Sequence, residues 1–426
     1  LALSGVIMSV GMPAIQAGLA RLQDPELTLA AFSVALSAGM FLHSPVVMLF
    51  VSATALVCDE RSYRMTRNTM LVFCAAVVGL SALITLWQPM YDLVFIRILR
   101  FPAAIASAAR PGLVAIIPWA APIGIRRYYQ GILIKFGETR VVSLGSAIRL
   151  LTMILVVTVG VVAAPAHGVL VGGFALMAGV TADMLVALIL ARRLLMRHVL
   201  PAESGEATPA GLWPLRFAAF YAPLMVTTAL RQVARPLMLS GIARSHDPVL
   251  ALAAFPVATA TLQLLSEFTQ MVQQVTVAKT RDGQSASVVQ RFALLLAAAC
   301  TGLVAMVAFT PLGELYHGGV IGLDGPALAM TNVTLRLLVP AAALVTMQNY
   351  FSGLLIRQGN TMVLNLAAVC NVVVLVAGIS WLAANTVWPG HLIGGGMLTL
   401  SILVEAGLLS YWAWPSIKRA RRYKPA

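Results

Sequence analysis

Apolar runs of about 20 residues recur along the whole chain, separated by short polar or basic segments. At 1.5 Å per residue, a run of that length crosses a bilayer as one helix. The pattern predicts twelve spans, near residues 1–21, 28–57, 69–90, 109–134, 140–164, 168–192, 212–243, 249–278, 288–310, 329–356, 361–384 and 392–414. Gly and Pro inside these runs do not argue against helices, because neighbouring helices satisfy the freed backbone groups. The first run is short beside its counterpart in the second half, which extends back to Leu212. The repeat described below therefore places about a dozen further residues of helix one upstream of Leu1.

Composition makes the membrane reading firm. Of 426 residues 60% are hydrophobic and 10% charged, and the mean hydropathy is +0.89. A soluble chain of this length needs far more polar surface to cover its core. The fold class expected is an all-α polytopic membrane protein.

Charge then sets the orientation. Of the 29 Lys and Arg residues, 17 fall in the even-numbered loops and the tail and 5 in the odd-numbered loops. The positive-inside rule puts both termini in the cytoplasm of a protein in the plasma (inner) membrane. The net charge of +14 is mostly this topology signal. The tail "SIKRARRYKPA" can grip anionic membrane lipid, whereas nucleic-acid binding needs a soluble basic face that is not there. No cleavable signal peptide is recognised. Cys58, Cys74, Cys300 and Cys370 have neither disulfide nor metal-ligand spacing, so no metal and no cofactor is expected. Asn332-Val-Thr334 matches a glycosylation acceptor, a motif short enough to arise by chance.

The chain repeats itself. "LARLQDPELTLAAFSVA" at 19–35 returns as "IARSHDPVLALAAFPVA" at 242–258, and 13 of 23 positions from Pro13 to Ala35 are identical at offset 223. "YYQGILIKFGET" at 128–139 answers "YFSGLLIRQGNT" at 350–361 at offset 222, with six of twelve identical. A repeat of six helices is even-numbered, so both copies enter the membrane in the same direction. That predicts two six-helix lobes related by a pseudo-two-fold along the membrane normal, with a site between them. The boundaries expected are an N-terminal lobe at 1–196, a polar cytoplasmic linker at 197–211, a C-terminal lobe at 212–414 and a basic tail at 415–426.

Ionisable groups inside the bilayer face a cavity or a partner. The deep acids are Asp183, Glu267 and Glu405; the deep arginines are Arg126, Arg127, Arg149, Arg231 and Arg235. Arg216 and Arg336 sit near helix ends, where they can snorkel. Arg231 and Arg235 share one face of helix seven, and the first copy has Met8 and Met12 in their places. Pro236 can kink that helix. Two guanidiniums on one face can hold carboxylate or phosphate oxygens bidentately, with Glu267 neutralising one of them when the site is empty. The plainer alternative is an Arg–Glu staple between helices seven and eight. Arg126 and Arg127 answer Gln348 and Asn349, and Arg149 answers Asn371. Each can contact substrate, snorkel, or bond a neighbouring helix. Asp183 and Glu405 occupy equivalent places; each is either a proton carrier or a neighbour's hydrogen-bond partner. His43 is a further proton candidate beside the equivalent of Glu267, or a locally bonded ring.

The turn "QGxL…G.T" after helix four, its echo after helix ten, "RQVARPLM" in helix seven, "FPVATATLQLLSEF" in helix eight, "GILIKFGET", and "LVEAG" in helix twelve carry a family resemblance. The chain resembles the multidrug/oligosaccharidyl-lipid/polysaccharide (MOP, MATE-like) exporter superfamily along nearly its whole length. Within it, the chain is most similar to the progressive ankylosis protein family. That resemblance implies export of small polyanions such as pyrophosphate, nucleotides and citrate. Of the family's pattern, Arg235-Pro236, Glu267 and Glu405 carry over directly. Arg231 departs from it, standing four residues before Arg235 where the family pattern implies three.

No Ser–His–Asp spacing, Walker loop or metal motif is present, so an enzyme is not expected. The leading reading is a secondary exporter of small organic or phosphorylated anions, working by alternating access as a monomer. Its partners are a small anionic substrate, membrane lipid, and a coupling proton or sodium ion. The alternatives are a proton- or sodium-coupled multidrug exporter of cationic amphiphiles, a flippase for a lipid-linked pyrophosphate, and a membrane-embedded transferase. The first wants an acidic cavity, the second a lateral opening, and the third an acidic or His-bearing outer loop, of which 91–108 offers only Asp92.

Overall fold

Two "DP" dipeptides, 223 residues apart, start equivalent helices in the same way. In the computed structural model, Asp24 (φ 47°) and Asp247 (φ 52°) both adopt the left-handed conformation just before Pro25 and Pro248. Asp tolerates that conformation and Pro is pre-set for the first helical position. The structure describes residues 2–199, 213–280, 283–358 and 360–422. Of the expected linker, residues 200–211 lie outside the described residues, as do the last four residues of the tail.

The described chain is helical throughout, apart from turns and one isolated bridge between His246 and Pro389. In order, the helices are α1 (Ala2–Leu19), α2 (Pro25–Leu42), α3 (Leu49–Leu56), α4 (Glu60–Leu86), α5 (Ala103–Ala115), α6 (Ala120–Lys135), α7 (Thr139–Ala163) and α8 (Gly168–Leu194). The second half holds α9 (Trp213–Ile242), α10 (Pro248–Ser266), α11 (Gln270–Lys279), α12 (Gly283–Phe309), α13 (Gly325–Arg357), α14 (Thr361–Asn385) and α15 (Gly390–Arg422). Among the described residues nine helical spans are long and apolar enough to cross a membrane, or ten if the α5–α6 pair, bent by 47°, is one span. The protein is therefore an integral membrane protein. Two of the twelve expected spans are not among these: in α1 the apolar stretch is the shorter Ile7–Leu19, and α9 carries Arg231 and Arg235.

The repeat reaches the irregularities. A 3-10 turn separates α2 from α3 at Ser44–Val46, and another separates α10 from α11 at Glu267–Thr269, again 223 residues on. A seven-residue π-helical stretch follows α4 at Asp92–Ile98, and its counterpart follows α12 at Leu315–Ile321. The "YYQG" and "YFSG" motifs are crossing points. A Cβ on Gly131 of α6 would lie 2.9 Å from Ala53 Cβ and 3.0 Å from Phe50 Cα on α3. On Gly353 of α13 it would lie 2.9 Å from the Gln273 carbonyl on α11. Only glycine lets these backbones approach so closely.

Helix ends are closed by side chains. Asp59 and Ser62 form a reciprocal cap at the start of α4, with Asp59 Oδ1 accepting from the Ser62 N–H at 2.7 Å. At its far end, Arg110 donates to the carbonyls of Thr85 (3.1 Å) and Leu86 (2.9 Å). Arg336 does the same for α12, donating to the Ala308 carbonyl at 3.0 Å, with its guanidinium over the Phe309 ring. Arg336 is thus a cation on a helix C-terminus, where the backbone dipole favours it.

Contacts divide the chain into two compact units. The first is Arg21–Pro236 with Leu3; the second is Ser4–Ala20 and Leu237–Ala426 with Ala2. Helix α1 groups with the second unit, and α9 up to Pro236 groups with the first. In the first unit α9 touches the 3-10 turn and α4: the Tyr221 hydroxyl donates to the Pro45 carbonyl in that turn, and its ring meets Phe73 edge-on at 5.5 Å. α9 is continuously helical from Trp213 to Ile242, so Pro236 lies within it and does not end it. In the second unit, α11 to α15 share a core that includes Val272, Ala293, Tyr350, Ala367 and Leu409.

His317, in the π-helical stretch after α12, is fully buried. Its Nδ1 is 2.7 Å from Asn332 Oδ1 and its Nε2 3.1 Å from the Thr261 hydroxyl. Asn332 is therefore engaged inside the fold and Thr334 is buried, so the Asn332-Val-Thr334 motif is a packing feature.

Two outcomes test these readings. Gly131→Ala should destabilise the protein by about 1–3 kcal/mol through overpacking. Gly302→Ala, on α12 where a Cβ meets nothing within 4 Å, should be neutral or stabilising. Thermal unfolding in detergent compares them, and equal effects would contradict the crossing. Desolvation holds the His317 pKa below its ordinary value, with the Asn332 bond opposing it. The unfolded ring, with a pKa of about 6.5, then binds the proton more readily. Its contribution is complete above that pH and is lost as the pH falls toward the folded value. His317→Gln should lose less stability than the parent between about pH 7 and pH 5; equal losses would count against this.

Candidate functional site

Consecutive residues on a helix point about 100° apart, so Arg126 and Arg127 on α6 cannot share one environment. Arg126 is 4% exposed. Its Nη1 donates to Asp183 Oδ2 at 2.8 Å, across to α8. Arg127 is partly buried, with its guanidinium 5.8 Å from the centre of the Phe50 ring on α3. Arg149, on α7, is partly buried and interacts electrostatically with Arg126 and Asp183. Arg127 interacts in the same way with Arg126, Arg149 and Asp183.

Small residues make this clustering possible. The second oxygen of Asp183 rests on Gly145 of α7, where a Cβ would collide with it. A Cβ on Gly179 of α8 would lie 3.1 Å from the Arg149 carbonyl, and one on Gly173 would lie 2.9 Å from the Gly112 carbonyl on α5. Helices α5, α7 and α8 thus meet backbone to backbone, and Asp183 enters the unit 1% exposed.

The charges do not balance. Three arginines face one carboxylate, and among the described residues no other carboxylate lies within ion-pair distance of them. Arg126 Nε and Arg127 Nε are buried with no hydrogen-bond partner among the described residues. The repeat sharpens the contrast: the corresponding set is Gln348, Asn349, Asn371 and Glu405, with Asn349 donating to the Thr269 hydroxyl at 3.4 Å and Glu405 buried.

Arg231 and Arg235 belong to this same first unit. Arg231 is exposed. Arg235 is partly buried, and its Nη1 meets the Met40 sulfur of α2 at 3.2 Å. All five arginines singled out on the sequence therefore sit in one compact unit, and their methionine counterparts Met8 and Met12 sit in the other. Sequence order assigns helix seven to the second half; its contacts up to Pro236 assign it to the first.

Of the acids, Asp183 is in the first unit, and Glu267 and Glu405 are in the second. Glu267 begins the 3-10 turn between α10 and α11, and a Cβ on Gly5 of α1 would lie 2.9 Å from its Oε1. His43 is buried at the equivalent turn, with Nδ1 2.6 Å from the Gly39 carbonyl and Nε2 3.4 Å from the Ser81 hydroxyl. Its ring meets Trp119 edge-on. The pairing of Arg126 with Asp183, 57 residues apart, and the seat at Gly145 have no linear signal.

No protein family matches the sequence, and no curated protein does. Solved structures do. An inward-facing multidrug resistance MATE family transporter of the MOP superfamily superposes with a TM-score of 0.73, covering 98% of this chain and 96% of that chain at 13% identity. The lipid II flippase MurJ, in an inward closed conformation, has a TM-score of 0.70 over 96% and 86% at 12% identity. The MATE multidrug transporter DinF-BH has a TM-score of 0.70 over 99% and 95% at 14% identity. The chain has the fold of MOP-superfamily transporters, as the resemblance implies. These neighbours do not reach the narrower resemblance to the progressive ankylosis family.

A double-mutant cycle tests the buried pair. Asp183→Leu alone leaves Arg126 charged and unpaired and should cost about 3–5 kcal/mol. Arg126→Met with Asp183→Leu should recover most of that loss, because the pair is replaced by apolar packing. Additive losses would show that the two residues do not act together.

Proposed function

We propose that this chain, which has the fold of MOP-superfamily transporters, is a secondary exporter of small organic or phosphorylated anions working by alternating access. One observation carries the reading: all five deep arginines share one compact unit, and among the described residues Asp183 is the single carboxylate ion-paired with any of them. A cationic amphiphile would meet repulsion in that unit, whereas a pyrophosphate, nucleotide or polycarboxylate would be attracted. Arg231 and Arg235 are the contacts for the moving anion. They stand one turn apart, ~6 Å along the axis. That spacing suits two anionic groups of one small molecule, each held by a guanidinium fork.

Glu267 supplies the coupling in this scheme. It lies at a helix break, where the backbone is already interrupted. In this scheme Glu267 takes up a proton when the anion binds, so proton and anion binding support one another. Both termini lie in the cytoplasm of the plasma membrane, following the distribution of basic residues.

Binding by the purified protein tests the proposal. Pyrophosphate and citrate should raise its melting temperature progressively with concentration, and a cationic dye should not. Losing one charge-assisted contact costs about 1.5–3 kcal/mol, so Arg235→Met should weaken anion affinity by roughly 10- to 100-fold while the protein still folds. Unchanged affinity in Arg231→Met and Arg235→Met would remove α9 from the site. Stabilisation by the cationic dye alone would favour a multidrug exporter, and stabilisation by a lipid-linked pyrophosphate alone would favour a flippase. Glu267→Gln should bind anion at least as tightly as the parent, with a flatter pH dependence; retention of the parent's full pH dependence would exclude Glu267 as the coupled proton site.

A further inference from the structure

Two arginines of the first unit are held in opposite ways. Arg126 donates to a carboxylate, Asp183 Oδ2, at 2.8 Å, and its charge is compensated. Arg235 donates through Nη1 to the Met40 sulfur at 3.2 Å, and among the described residues that is its one polar contact. A thioether is a weak, uncharged acceptor. It fixes where a guanidinium points and leaves the charge uncompensated. Met40 also stands in the last turn of α2, which ends at Leu42. A helix C-terminus carries partial negative charge, so a cation is favoured there, again without a formal counter-ion.

A guanidinium has five N–H donors. With the Nη1 side on the sulfur, the edge formed by Nε and Nη2 stays open to a bidentate carboxylate or phosphate. The repeat keeps the chemistry of residue 40: at offset 223 it is answered by Gln263, another uncharged acceptor of similar length. Arg235 itself is answered by Met12.

We propose that Met40 is a positioning residue for Arg235. Its sulfur aims the guanidinium and leaves it cationic, so the arriving anion supplies the counter-charge that the protein withholds. A neutral or cationic molecule brings none, and Met40 thereby contributes to the choice of substrate class. This rests on the reading of Arg235 as an anion contact.

Variants at residue 40 of the full-length protein in detergent test the role, with calorimetric titration of pyrophosphate and citrate and melting temperatures without ligand. Met40→Leu keeps the volume and removes the acceptor. Its anion affinity should fall about 2- to 10-fold, the worth of one hydrogen bond. Met40→Gln restores an uncharged acceptor and should bind within about twofold of the parent. A residue that only packs would not show that rescue, because leucine replaces a buried methionine better than glutamine does. Met40→Glu compensates Arg235 and should weaken anion binding at least tenfold. Without ligand, Met40→Glu should raise the melting temperature, and in Arg235→Met it should lower it, because the carboxylate is then the unpaired charge. Three results would each overturn the proposal: parental affinity in Met40→Leu, a loss in Met40→Gln as large as in Met40→Leu, or a fall in melting temperature for Met40→Glu with and without Arg235. If the parent binds neither anion, the anion reading fails, and the melting temperatures alone decide whether Met40 positions Arg235. Met40→Leu and Met40→Gln decide it if Met40→Glu does not fold.

Discussion

A guanidinium cannot be left alone in hydrocarbon, and the first unit is arranged around that constraint. Arg126 is buried because Asp183 meets it at 2.8 Å, and Asp183 reaches it because α7 gives up a side chain at Gly145. The glycines that bring α5, α7 and α8 together are therefore electrostatic as well as steric devices. Without the pair Arg126 would be an uncompensated buried charge, which is strongly destabilising. Arg127 and Arg149 have no ion-paired carboxylate of their own among the described residues.

The same constraint explains the asymmetry between the two halves. Their backbones agree down to a left-handed aspartate, a 3-10 turn and a π-helical stretch at one offset. Their charges do not. Arg126, Arg127 and Arg149 are answered by amides, and Arg231 and Arg235 by methionines. Because α9 up to Pro236 groups with the first unit, both sets of arginines end up in that unit. Duplication supplied two similar frames, and the charge was concentrated in one.

The periodicity of apolar runs was enough to place most helices to within a few residues, because lipid enforces continuous backbone hydrogen bonding over each run. The duplicated "DP" and "QG" motifs were legible as a repeat, but not as a helix start and a helix crossing, which depend on backbone conformation and on distances across the fold. The sequence leaves Asp183 open between proton carrier and neighbour's partner, because nothing near it in the chain points to Arg126. Arg336 read as a snorkelling side chain; the structure turns it onto the end of α12, where carbonyls without helical partners offer a better site than the headgroups. The grouping of α9 with the first unit was hidden for a related reason. Sequence order says which half a helix comes from, and contacts such as Tyr221 with Pro45 say which bundle it joins.

We propose that the arginine-bearing unit makes this protein a carrier of anions. Uptake of labelled pyrophosphate and citrate into proteoliposomes, set against uptake of a cationic dye, measures it most directly. Anion uptake should be saturable, and unlabelled polyanion should compete it away where the dye does not. Dye uptake with no anion uptake would contradict it.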